Sequence, residues 1–122
     1  MNLVAIFIGG GLGSLCRYGI GKFIMSYDSS VLAYATLFSN VLSTIFLALF
    51  VYYFQGNMRL DKVWKLLVIT GFCGGFSTFS TFSFETFEML KNGQTALAFV
   101  NVFVSVLLCL FVLYIIYKKS II

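Results

Sequence analysis

From Val31 to Phe54 the chain runs through 24 residues without one Asp, Glu, Lys or Arg, and from Ala96 to Tyr117 through another 22. A helix rises about 1.5 Å per residue, so about 20 apolar residues cross the ~30 Å hydrocarbon core of a bilayer. Two further stretches fit the same measure. Leu3–Ile24 is interrupted only by Arg17 and Lys22, and Trp64–Met89 keeps Lys65, Glu85 and Glu88 towards its ends. The intervening pieces SYDSS, QGNMRLDK and LKNGQ are short and polar, as membrane turns should be. The expectation is one all-α, four-span membrane domain over residues 1–122, with spans near 3–24, 31–54, 64–89 and 96–117.

Composition closes the other routes. Only 10% of residues are charged, against about a quarter in soluble domains. Aromatic residues at 19% exclude a disordered chain. Three cysteines, an odd number inside apolar runs, do not make a disulfide framework. Eight basic residues and a net charge of +4 are too sparse for a nucleic-acid surface. The first span lacks the basic leader and small-residue cleavage site of a signal peptide. There is no histidine, no cysteine pair and no nucleophile beside a base, so no enzymatic constellation is visible.

Four spans place both termini on one side, with Arg59, Lys62, Lys65, Lys118 and Lys119; Arg17, Lys22 and Lys91 lie on the other. The excess of basic residues favours cytoplasmic termini, by a margin thin enough to let subunits insert both ways.

Several residues do not belong in a plain anchor. Gly9 and Gly13 form a GxxxG pair, which lets helices approach closely. Arg17 lies deep in the first span, where a charge costs about 2.5–3.5 kcal/mol at the helix centre and less towards the interface. It either snorkels to headgroups, faces a vestibule or bonds loose carbonyls. Asn40 carries an amide that must find partners in hydrocarbon, from a neighbouring helix or from a permeating anion. In the third span Gly71, Gly74 and Gly75 predict an unwound segment, whose carbonyls are hard ligands for a small cation. The run Ser77-Thr78-Phe79-Ser80-Thr81-Phe82-Ser83-Phe84 follows, with five hydroxyls in eight residues. Hydroxyl donors beside the positive edges of phenyl rings can replace an anion's water without a full positive charge. Ordinary packing, with rings to lipid and hydroxyls bonded back to the helix, is the alternative. Glu85 and Glu88 close the span, Glu85 one turn deeper, where it could face a vestibule.

The strings GGGLGSLCRYG, ATLFSNVLSTIFLALF and GFCGGFSTFSTFSFE, in this order, resemble the small bacterial fluoride channels of the Fluc or CrcB family. The resemblance covers all four spans, and the third string is the most specific. It implies a fluoride-selective channel of the bacterial cell membrane that passively exports fluoride. It further implies an antiparallel dimer with a structural sodium ion at its centre, held by backbone carbonyls corresponding to Gly74 and Ser77. The pore residues it implies are Asn40, Phe79, Phe82, Ser80 and Thr81, with Arg17 and Glu85 at the vestibule. Ser39, Ser43, Ser77, Asn101 and Cys109 depart from the family's usual residues. The second chain is accordingly expected to be another copy or a paralogous subunit. Two other readings stand beside this one: a small multidrug-type proton-coupled exporter, which needs an intramembrane carboxylate, and a non-transporting membrane subunit.

Overall fold

In the computed structural model, which describes residues 1–28, 32–54 and 62–121, every regular element among the described residues is a helix. Among the described residues, four helices are long and apolar enough to cross a membrane: Asn2–Met25, Ala33–Phe54, Lys62–Lys91 and Thr95–Lys119. Val31 and Arg59 lie outside the described residues, as does most of the turn between the second and third spans.

Helix α1 (Asn2–Met25) and helix α2 (Leu32–Phe54) are continuous. The third span is not. It begins as a short α-helix, α3 (Lys62–Lys65), widens into a π-helical stretch (Leu66–Cys73), and regains α geometry for one turn, α4 (Gly74–Phe76). It then breaks and restarts as α5 (Phe79–Lys91). The last helix is α6 (Thr95–Ile121). Between α5 and α6 the chain reverses through a glycine-based helix stop. Gly93 takes φ 78°, the region that disfavours a side chain. The Gln94 and Gly93 amides return to the Met89 and Leu90 carbonyls at 2.8 and 3.1 Å, the paired bonds that end a helix this way.

The break falls two residues beyond the expected glycines. Gly74 is helical at φ −64°, ψ −37°. The extended residues are Ser77 (φ −83°, ψ 157°) and Thr78 (φ −150°, ψ 121°). The glycines serve close approach instead. A Cβ on Gly9 would strike the Leu67 carbonyl and come within 2.9 Å of the Phe72 amide nitrogen. One on Gly13 would strike the Phe72 carbonyl and approach the Phe76 nitrogen at 2.8 Å. From the other side, Gly71 would meet Gly9 Cα at 3.0 Å, and Gly75 would run into the Gly10 carbonyl. Helix α1 thus lies backbone to backbone against the π-helical stretch and α4. Lipid tails are as apolar as any side chain, so small-residue contact is what drives helices together in a bilayer.

The rest of the interior follows that rule. Ala5, Ala35, Ala48 and Ala98 are buried, with Cys73 and Phe76, and Ser39 is the most enclosed side chain at 1% exposure. Phe76 stacks on Phe72, and Phe46 meets both edge-on. Large apolar residues such as Leu3, Phe7, Phe103 and Phe111 face outward.

Candidate ion-conducting site

A broken helix leaves backbone groups without their usual partners, and in hydrocarbon each must be satisfied within the protein. At this break, side chains from three elements supply the bonds. Asn40 Oδ1 accepts from the Thr78 amide at 2.8 Å, and Asn40 Nδ2 donates to the Thr78 carbonyl at 3.4 Å. Arg17 Nε donates to the Gly75 carbonyl at 3.2 Å. The Cys73 carbonyl accepts from Ser43 Oγ and Ser77 Oγ, each at 2.9 Å, and from the Ser77 amide at 3.0 Å. Thr78 also caps α5: its Oγ1 accepts from the Thr81 amide at 3.2 Å. Hydroxyl residues are preferred at this position for that reason.

Two cavities meet at Thr78. One, of about 290 Å³, is lined by Asn40, Thr44, Ser77, Thr78, Phe79, Phe82, Ser105, Val106 and Cys109. The other, of about 300 Å³, is lined by Ser14, Arg17, Tyr18, Lys22, Thr36, Ser39, Thr78, Thr81 and Glu85, among others. The expected residues are therefore divided. Asn40, Phe79 and Phe82 share the first cavity; Arg17, Thr81 and Glu85 share the second. Ser80 is exposed, with Oγ 3.3 Å from Thr78 Oγ1, and Thr78 Oγ1 also donates to Thr81 Oγ1 at 3.2 Å.

The Phe79 and Phe82 rings lie 6.0 Å apart at 40°. Phe82 is half-buried, whereas Phe79 is 80% exposed, so one chain alone does not enclose it. The N-terminus of α5 opens at the junction of the two cavities. Its partial positive charge favours an anion over a cation there.

Glu85 is enclosed in the bundle at 8% exposure. Its Oε1 accepts from Thr36 Oγ1 at 2.7 Å, and its Oε2 is buried without a hydrogen-bond partner among the described residues. Glu88 lies outward and pairs with Lys91 at 3.7 Å. Lys22 stands over the Tyr18 ring at 5.6 Å, so the second cavity carries two cationic side chains and one carboxyl. Helix α5 is also tied to α6, because Asn101 Nδ2 donates to Thr86 Oγ1 at 3.1 Å.

Sequence reasoning did not single out Thr36 or Ser105. Ser105 Oγ is buried, lines the Asn40 cavity and has no partner among the described residues. A lone serine in the charge-free fourth span was the available signal. Thr36 offered none, since its importance comes from a carboxyl 49 positions away.

Among the described residues, no three His, Cys, Asp or Glu gather as a metal cluster, so a cation here would depend on backbone oxygens. The Gly74 carbonyl fits such a role. Its helical donor would be the Thr78 amide, which Asn40 has taken, and Gly74 is exposed at the surface of the chain. The extended Ser77 adds a second carbonyl close by. Two oxygens are fewer than the roughly six or more that a hard cation takes, so water or a second chain would have to complete such a site.

A family model described as CrcB-like protein, Camphor Resistance (CrcB), matches residues 4–117. The curated relatives include the "Fluoride-specific ion channel FluC" of Pyrococcus horikoshii, 36% identical over 112 residues, 92% of this chain and 89% of the relative. The protein of the same name from Pyrococcus abyssi is 38% identical over 110 residues, 88% of each chain. "Fluoride-specific ion channel FluC 1" of Yersinia pestis is 39% identical over 97 residues, 80% of this chain and 76% of its own.

Proposed function

Because the chain belongs to the CrcB family, we propose that it is a fluoride-selective ion channel, a transporter rather than an enzyme, that lets fluoride leave the cytoplasm passively. The observation that carries this reading is the gathering of Asn40, Phe79 and Phe82 around one cavity at the positive end of α5. Fluoride enters hydrocarbon only if something replaces its water. Asn40 spends one N–H on Thr78 and keeps a second to donate, while the phenyl edges carry partial positive charge. Arg17 and Lys22 make the neighbouring cavity attractive to anions, and Thr81 and Ser80 add hydroxyl donors along α5.

The exposure of Phe79 and Gly74 supports assembly as a pair. In an antiparallel dimer, of two copies or of this chain with a paralogous subunit, the second chain would cover Phe79. It would also bring its own Gly74 and Ser77 carbonyls to the first pair. A sodium ion held by these carbonyls would supply a fixed positive charge that ties the chains together. The ion is structural in this reading, not cargo.

Purified protein in liposomes loaded with fluoride and chloride tests the function. A fluoride electrode should record efflux while chloride stays inside. Phe82→Ile should abolish that efflux and leave the elution volume of the assembled protein unchanged. Equal loss of both halides, or full flux through Phe82→Ile, would refute the reading.

A further inference from the structure

We infer that Asn40 is a positioning residue whose carboxamide stands in for a neighbouring β-strand, holding Thr78 extended and keeping the third span from closing into one helix. In a continuous α-helix the Thr78 amide would donate to the Gly74 carbonyl, four residues back. Here it donates to Asn40 Oδ1 at 2.8 Å, and the Thr78 carbonyl accepts from Asn40 Nδ2 at 3.4 Å. A carboxamide presents one donor and one acceptor side by side, as a peptide unit does. This two-point exchange reproduces a rung of an antiparallel ladder, the pairing that extended backbone requires. Without it, both Thr78 groups would sit unpaired at membrane depth, which hydrocarbon does not tolerate.

The pattern of neighbouring bonds supports the assignment. Arg17 takes the Gly75 carbonyl and Ser43 the Cys73 carbonyl, so both act on the helical half of the third span before the break. Neither bonds to the backbone of Ser77 or Thr78. Asn40 alone, among the described residues, pairs with both backbone groups of an extended residue. The choice of side chain is constrained as well. Serine or threonine at position 40 lacks the reach and the paired donor and acceptor, and leucine has neither. The same contact releases the Gly74 carbonyl from its helical bond, so Asn40 creates the free oxygen as well as bordering the cavity.

The inference concerns the same site as the proposed function, but it rests on the geometry of the break and not on which ion passes. Backbone carbon chemical shifts of threonine-labelled protein in nanodiscs test it directly. Thr78 should show extended values in the unaltered chain. In Asn40→Leu the Thr78 shifts should move to the helical range. Unchanged extended shifts in Asn40→Leu would overturn the inference. Should the leucine variant not fold, amide exchange on the unaltered protein decides. The Thr78 amide and one Asn40 Nδ2 proton should both be protected, and rapid exchange of the Thr78 amide refutes the clamp. Absence of fluoride flux through the unaltered channel would refute the proposed function and leave this readout untouched.

Discussion

A carboxyl group inside a membrane bundle is costly, and the costs at Glu85 fall on one hydrogen bond. Thr36 Oγ1 reaches Oε1 at 2.7 Å, while Oε2 has no partner among the described residues. Thr36→Val should therefore destabilise the fold by about 1–3 kcal/mol, the penalty for a buried polar group losing its partner. Glu85→Gln keeps an acceptor for Thr36 and should cost less. Denaturant titration in mild detergent, with Thr36→Val, Glu85→Met and the double variant in one cycle, measures the coupling, because neither single variant retains the bond; strictly additive effects would mean that the bond contributes nothing. Thr36 was not readable from the sequence, because a hydroxyl in an apolar run looks the same whether it bonds its own helix or another. Asn40 was readable as a residue needing partners, but its pairing with Thr78 was not. That bond spans 38 positions and exists only once the break has formed.

At the scale of elements, the spans were legible because charge-free runs have few physical solutions. The third span shows where such reading stops. Its glycines suggested an unwound segment, since each costs a helix about 1 kcal/mol relative to alanine. The folded chain uses Gly71 and Gly75 for contact with α1 and places the extended residues at Ser77 and Thr78. The signal for the true position was the hydroxyl ahead of the Phe79 helix, an N-cap residue in the middle of a span. The two uses of glycine are separable by experiment. Gly9→Ala forces a methyl into the Leu67 carbonyl and should abolish or strongly reduce folded protein on size exclusion. Gly11→Ala meets nothing within 4 Å and should be neutral or raise the midpoint of thermal unfolding. Equal tolerance of both would show that α1 does not lie against the third span.

For the whole molecule, the outward face decides what the chain does next. In the most apolar window of α6 only 6% of residues are buried, against 17% in each of the other spans. Phe79 stands 80% exposed beside the Asn40 cavity, so a single chain leaves that side of the cavity uncovered. The proposed pairing predicts a protein mass near twice 13.7 kDa in detergent. It also predicts carboxyl-terminal reporters on both sides of the membrane where two identical copies assemble. Light scattering at the mass of one chain would exclude the dimer. Replacing sodium with a large organic cation should lower the dimer's thermal stability, and an unchanged melting curve would argue against an ion held by the Gly74 and Ser77 carbonyls. The glycine seam between α1 and the first half of the third span has a separate consequence for how such a protein can evolve. Because the two backbones touch, a bulkier residue at Gly71 can be suppressed only by displacement within α1. Positions 9, 13, 71 and 75 should therefore all stay small wherever this seam is kept.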